Sequence, residues 1–358
     1  MFNYLSFLRP PPQQASSSLP VTITPRLAND LRTELSDSTQ DIFYSWSLLT
    51  QLTSNYPTAT KPRKLTTWRA ESAYKEILVP LPPGLRDGQS YSLVLTVHDQ
   101  GVPHVVNLAR PSCGARPLPV MSMPILFTRG RQDPGKQEQI QRVYRIPTSP
   151  GNQVFLTVTE QTSFDLDKKI WDSGIGLSSW IVDLASGVVE YDGLQDLKSK
   201  LIETSTNVLE LGAGTGIVAL AIASAMPLLE HNISRNEKLF TSPAIRPQAV
   251  VLDWDEPLPD EVHAVEGGFD AIVMADVTYN TASFPSLIAT LKSLIDLQDH
   301  SNPPLFLLGY KERDPAERTL WDRAREIGIE FKQVGEREGA GGAPVEIWLG
   351  RVVVDATS

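Results

Sequence analysis

Apolar residues change their spacing along this chain, and each change predicts a different kind of element. From Pro25 to Thr53 they recur at three- and four-residue steps (Leu27, Leu31, Leu35, then Ile42, Phe43, Trp46, Leu49, Leu52), which predicts one or two helices. Further on they gather into short runs between turn residues. Tyr91 to Val97, Val105 to Leu108, Met121 to Phe127, Gln141 to Ile146 and Val154 to Thr159 read as strands. Ser149-Pro150-Gly151-Asn152 is a hairpin turn signal before the last of them. Proline and glycine are dense from Pro80 to Pro150, so these strands are short.

From about Ile170 strand and helix patterns alternate, the signature of a doubly wound parallel sheet. Ser179 to Gly187, Leu194 to Glu203, Ala225 to Lys238 and Ser283 to Leu297 read as helices. Pro315 to Ile327 is another, with Asp314 as its cap. Asn207 to Leu211, Ala249 to Leu252, Ala271 to Ala275 and Leu305 to Gly309 read as strands. Ile329 to Val334 and Val345 to Leu349 close the sheet as an antiparallel hairpin.

Composition narrows the function classes. The 358 residues suit two domains, and 41% hydrophobic with 21% charged residues is a soluble globular balance. Residues 1–20, with the Pro- and Ser-rich RPPPQQASSSLP, read as a flexible arm, and Tyr56 to Lys64 as a loop whose Lys61-Pro62-Arg63-Lys64 cluster is solvated. A formal charge of −10 argues against a nucleic-acid partner. The single cysteine, Cys113, excludes an internal disulfide and fits a reducing compartment. No apolar run approaches the roughly 20 residues that span a bilayer, and the N-terminus has no basic n-region or cleavage pattern. The expectation is a cytoplasmic enzyme, or one that is also nuclear, acting as a monomer without nucleic acid or membrane.

The densest chemistry lies in NVLELGAGTG, Asn207 to Gly216. A short apolar strand carries Glu210, then Gly212, Gly214 and Gly216 fall at every second position before the helix formers IVALAIASA. Such a turn lets a nucleoside cofactor lie against bare backbone. The GxGxG spacing and the strand glutamate suit a cationic amino-acid cofactor, S-adenosylmethionine, better than a pyrophosphate. A nicotinamide or flavin enzyme could use a similar loop, and Glu210 could instead cap a neighbouring helix.

Asp276-Val277-Thr278-Tyr279 follows the strand AIVMA, at the edge where open α/β sheets bind ligands. Methyl transfer is an in-line displacement, so an enzyme's task is positioning and desolvation. Asp276 would hold an amine in line, with Tyr279 as the wall; otherwise Asp276 caps the next turn and Tyr279 packs in the core. In IWDSGIGLSSW, composition alone favours Trp171 and Trp180 as core residues and Gly174 and Gly176 as turn glycines. Asp253-Trp254 reads as a loop carboxylate and an anchoring indole, or as an adenine wall with a polar contact. The five histidines show no metal spacing.

Taken together, WDSGIGLSSW, VLELGAGTGIVALAIA, LDW and ADVTYN followed by FPSLIATLKSLI resemble lysine methyltransferase family 16, the non-SET, seven-β-strand protein methyltransferases. The resemblance covers about residues 140 to 350 and implies a Rossmann-like class I methyltransferase sheet at 140–358, α/β in class. An N-terminal helical and β-rich extension, 21–139, would precede it and select substrate. By resemblance Trp171, Gly212, Gly214, Gly216 and Trp254 line the S-adenosyl-L-methionine site, with Glu210, Asp253 and Ala275 beside them. Asp276 and Tyr279 match the family's DxxY motif at the acceptor site. Members methylate single lysines on proteins such as translation elongation factors and chaperones, which implies a protein substrate.

The chain departs from that pattern at the second strand, whose terminal acid grips the ribose hydroxyls. Only about 33 residues separate Gly216 from Gln248, where two helices, a strand and three connections need well over about 40. Ala223-Ser224-Ala225 reads as a junction across a missing segment, and Glu230 is a poor substitute for the acid. The first strand's edge is then left unpaired, or the strand at Ala249 slides in beside it. A small-molecule or nucleic-acid methyltransferase is a rival reading, and a non-catalytic scaffold of the same fold is another.

Overall fold

The structure, a computed structural model, describes residues 1–48, 59–130, 135–149, 152–163, 168–189, 193–202, 206–222, 248–297 and 302–353. They form two compact units, Met1–Ile170 with Gly339–Gly342, and Trp171–Glu338 with Ala343–Ser358. The division falls about 30 residues beyond the expected boundary at 139/140, because the hairpin 139–161 belongs to the sheet of the first unit.

The first unit is built of strands: β1 (Tyr4–Arg9), β2 (Gln14–Ser16), β3 (Val21–Ala28), β4 (Gln40–Leu48), β5 (Arg63–Trp68), β6 (Ile77–Val79), β7 (Ser90–Thr96), β8 (Val105–Asn107), β9 (Val120–Ser122), β10 (Ile125–Thr128), β11 (Gln139–Ser149) and β12 (Asn152–Gln161). β1, β3 and β6 make one sheet and the other nine a second. The helices expected over Pro25–Thr53 are not there. β3 and β4 occupy that stretch, while residues 49–53 lie outside the described residues. Ile42, Tyr44 and Trp46 alternate into the core, the period of a strand, and β-branched Val21, Thr22, Ile23 and Thr24 favour extended backbone. Residues 1–20 are likewise no flexible arm: Phe2, Tyr4 and Leu5 are fully buried, and β1 pairs antiparallel with β3. Glu160 on β12 is buried between Arg32 and Arg142, which together offset its burial and hold its carboxyl below the usual range.

The second unit contains α1 (Asp172–Ala185), α2 (Leu194–Ile202), β13 (Val208–Leu211), α3 (Ile217–Ile222), α4 (Asp260–His263), β14 (Ala271–Ala275), α5 (Phe284–Asp296), β15 (Leu305–Tyr310), α6 (Thr319–Glu326), β16 (Ile329–Arg337) and β17 (Val345–Val352). The sheet order is β13-β14-β15-β17-β16, with the first three strands parallel and the last two antiparallel. This is the expected Rossmann-like sheet with its antiparallel end. Ile272, Met274, Phe306, Leu308 and Tyr310 pack in one core with Leu287, Leu291 and Leu320 of α5 and α6. The other face meets α1, where a Cβ on Gly309 would lie 2.9 Å from Leu177 Cβ. Gly174 and Gly176 are not turn glycines; they sit inside α1, and a Cβ on Gly176 would lie 2.8 Å from Val345 Cβ on β17.

Among the described residues β13 is the edge of the sheet, with no strand between α3 and β14. The strand expected at Ala249–Leu252 is irregular chain, with Val251 92% exposed and, among the described residues, no strand beside it to take up its hydrogen bonds. The expected helix Ala225–Lys238 and the Ala223–Ala225 junction lie outside the described residues. No described helix is long and apolar enough to cross a membrane.

Candidate active site

β13, β14 and β15 run parallel, so their C-terminal ends share one edge of the sheet, the edge at which open α/β folds bind ligands. β13 runs into the glycine turn, β14 into Asp276 and β15 into Lys311-Glu312-Arg313.

Gly212, Gly214 and Gly216 have φ of 67°, 52° and 72°, a region other residues rarely adopt, so the turn requires glycine. The Gly216 amide donates to Ala213 O at 2.6 Å and leads the chain into α3. A Cβ on Gly212 would lie 3.1 Å from Val277 Cγ1, so the turn presses on the segment that follows Asp276. Glu210 Oε2 accepts from Ala219 N at 2.9 Å and thereby caps α3. Burial pushes its carboxyl up to about 8, with the Ala219 amide pulling the other way.

Asp276 is buried and has φ 62°. A non-glycine residue there costs about 1 kcal/mol or more, and persists only where its surroundings hold it. Arg313 does the holding: Nη2 donates to Asp276 Oδ2 at 2.8 Å and Nη1 to Oδ1. The same guanidinium lies 5.4 Å over the Trp171 ring. Asp276 therefore does not cap the next turn; Asn280 does, accepting from Ala282 N at 3.1 Å. Tyr279, 60% exposed, is no core residue. Among the described residues, the Ser173 and Thr278 hydroxyls, both fully buried, have no hydrogen-bond partner.

Trp171 precedes α1 in extended conformation and leaves Asp172, fully buried, as the first helical residue. Lys311 Nζ donates to Asp172 Oδ2 at 2.6 Å. Two residues just beyond β15, Lys311 and Arg313, thus tie down the start of α1 and the end of β14. Sequence reasoning missed Lys311, Arg313 and Asp172. Their signal was a pair of cations directly after the central strand LFLLGY.

The structure therefore joins Trp171 to Asp276 through Arg313, and the glycine turn to the same segment through Val277. Half-buried Ala275 ends β14 opposite Gly309. Trp254 packs against the core that α5 and α6 share, and exposed Asp253 accepts from Asp255 N at 3.0 Å in its own turn. Among the described residues, neither hydrogen-bonds to the glycine turn.

A family model described as lysine methyltransferase matches residues 151–326. Protein N-lysine methyltransferase METTL21A of Danio rerio is 31% identical over 181 residues, 45% of this chain and 74% of that protein. Protein-lysine N-methyltransferase EFM6 of Saccharomyces cerevisiae is 29% identical over 182 residues, 43% and 71% of the two chains. UPF0665 family protein C23C4.06c of Schizosaccharomyces pombe is 29% identical over 175 residues, 45% of this chain and 47% of that protein. The match thus spans about half the length of that relative. Fibrillarin of Aeropyrum pernix with bound S-adenosyl-L-methionine superposes with a TM-score of 0.34 at 12% identity, over 72% of this chain and 93% of that one, which carries no argument. With the glycine turn, the sheet order and the METTL21A match in agreement, this chain belongs to the lysine methyltransferase family.

Proposed function

We propose that the chain is an S-adenosyl-L-methionine-dependent protein-lysine N-methyltransferase, working as a monomer in the cytoplasm or nucleus on a protein such as a translation factor. The observation that carries this reading is Asp276, buried, in left-handed conformation, and beside the glycine turn at the C-terminal edge of the sheet. The bare glycine backbone, the half-buried Glu210 carboxyl and the Ser173 and Thr278 hydroxyls, unpartnered among the described residues, fit a polar, cationic cofactor at that edge. S-adenosyl-L-methionine, when bound, supplies an electrophilic methyl group on a sulfonium. The residues of this chain do the rest. Trp171, Gly212, Gly214, Gly216 and Ala275 would bound its site, with Asp253 and Trp254 toward the adenine. Asp276 would accept hydrogen bonds from the substrate amine and hold its lone pair in line, and exposed Tyr279 would form the wall of the entrance.

Labelled methyl transfer from S-adenosyl-L-methionine into cell extract, with Asp276→Ala as control and mass spectrometry on the labelled band, tests this reading. A lysine-methylated band above the control supports it, and no such band overturns it. One observation favours a second reading, a methyltransferase-fold scaffold that binds cofactor poorly. Among the described residues β13 is a sheet edge, with no second strand to bring an acid to the ribose.

A further inference from the structure

We propose that Arg313 is a positioning residue of the acceptor site, holding the Asp276 carboxylate where it can orient an incoming amine while cancelling the charge that would keep that amine protonated. This rests on the methyltransferase reading and assigns the protonation control of that same site.

A lysine amine attacks only as the free base. With an ordinary pKa near 10.4, on the order of one in a few thousand is free at pH 7. A lone carboxylate close by makes this worse, because an opposite charge within about 4–6 Å favours the charged form by roughly 1–3 pKa units. Asp276 on its own would hold the lysine well and hold it as ammonium. Arg313 changes the balance. Its guanidinium stays charged throughout the accessible pH range and grips both carboxylate oxygens. Each oxygen keeps a lone pair to accept an amine N–H, yet the pair as a whole is close to neutral.

Among the described residues, the other groups facing the pair do not supply that cation. Lys311 is spent on Asp172 at 2.6 Å. Glu317, buried, accepts from the Arg313 amide at 3.3 Å, and burial and Asp276 both raise its carboxyl. The Tyr310 hydroxyl lies against Glu317 and is pushed above its ordinary range by burial. Glu312 pairs with Arg318 at 2.8 Å. The Trp171 ring, 5.4 Å from the guanidinium carbon, adds a cation–π contact to the two hydrogen bonds that hold Arg313 on the carboxylate.

The experiment compares the full chain with Arg313→Gln and Arg313→Lys. Initial rates of tritium transfer from S-adenosyl-L-methionine into the extract band that Asp276→Ala leaves unlabelled are followed from pH 6.5 to 10, and S-adenosylhomocysteine binding is measured by calorimetry. The expected wild-type rate rises with pH and bends to a plateau below pH 9.5. In Arg313→Gln the bend moves up by about one unit or more, with a rate about tenfold lower at pH 7 that closes toward pH 10. Arg313→Lys, which keeps the charge, keeps the position of the bend. All three bind S-adenosylhomocysteine within about threefold of one another. An unshifted bend with a uniform loss of rate overturns the proposal, as do a wild-type rate still climbing at pH 9.5 and loss of S-adenosylhomocysteine binding in both variants. A wild-type chain that labels no band above Asp276→Ala overturns the methyltransferase reading itself, and this inference with it.

Discussion

Lys311 and Asp172 form a buried ion pair, Nζ to Oδ2 at 2.6 Å, between the end of β15 and the first residue of α1. The two lie 139 residues apart in the chain. The pair fixes the residue next to Trp171, and Lys311 stands two residues before Arg313, which grips Asp276. Loss of the pair should therefore be felt in stability and in the site together. Removing one member of a buried pair leaves an uncompensated charge and costs about 3–5 kcal/mol. Lys311→Met should lower the stability of the second unit by that amount in urea denaturation. Adding Asp172→Leu should restore most of it without restoring methyl transfer. A Lys311→Met chain of unchanged stability would show that the pair is not what anchors α1.

Glu210 gives a pH dependence of definite sign. Its folded carboxyl stands near 8 against an ordinary 4.5, so between those values the folded chain binds a proton that the unfolded chain has lost. This group's contribution to stability is greatest below that window and falls as pH rises through it, by up to about 1.4 kcal/mol per pH unit. Glu210→Gln keeps an acceptor for the Ala219 amide and removes the titration. The difference in unfolding free energy between Glu210→Gln and wild type should widen in favour of the variant from pH 5 to pH 8. Equal pH dependence in both chains would show that Glu210 is ionised at neutral pH in the fold.

Gly212 should tolerate no side chain. At φ 67° an alanine pays the left-handed cost of roughly 1–2 kcal/mol, and its Cβ would press on Val277 Cγ1 at 3.1 Å. Val277 is covalently next to Asp276, so the push is delivered to Asp276 as well as to the turn. Gly212→Ala should lose about tenfold or more in both S-adenosylhomocysteine affinity and transfer rate. Gly187→Ala, also at positive φ but with nothing within 4 Å of its Cβ, should lose stability alone. Calorimetry on the two variants separates them.

The second unit was legible in the sequence because its strands are continuous apolar runs, and its sharpest turn needs three glycines at fixed spacing. VLEL, AIVMA and LFLLGY became β13, β14 and β15 within a residue or two. The first unit was not, for a specific reason. Leu27, Leu31 and Leu35 keep helical spacing only by accident of a turn, in which Asn29 Oδ1 accepts from Thr33 N and Arg32 stands at φ 60°. In β4 the half-buried Phe43 between buried Ile42 and Tyr44 hides the two-residue period. At the site, Asp276 and the glycines could be found from local pattern. Arg313 could not, because its pairing depends on the parallel register that sets Ala275 beside Gly309. Which cation after a strand turns back over the neighbouring strand's end is a property of the sheet, and no spacing within the chain encodes it.

The edge position of β13 leads to the last prediction. By the family pattern the second strand lies beside the first, and its terminal acid would grip the ribose hydroxyls. Here, among the described residues, β13 pairs only with β14, and residues 248–253 are irregular. A pair of charge-assisted hydrogen bonds contributes about 1.5–3 kcal/mol for each bond, so its loss weakens binding by two orders of magnitude or more. The glycine turn, Glu210 and Trp171, which the proposed site would use, are all present. The chain should therefore still bind S-adenosyl-L-methionine, but with a dissociation constant in the range of about 100 μM or weaker. Titration calorimetry with S-adenosyl-L-methionine and S-adenosylhomocysteine reads this directly. Binding at nanomolar to low-micromolar concentration would mean that another residue of this chain grips the ribose, and that β13 does not end the sheet in solution.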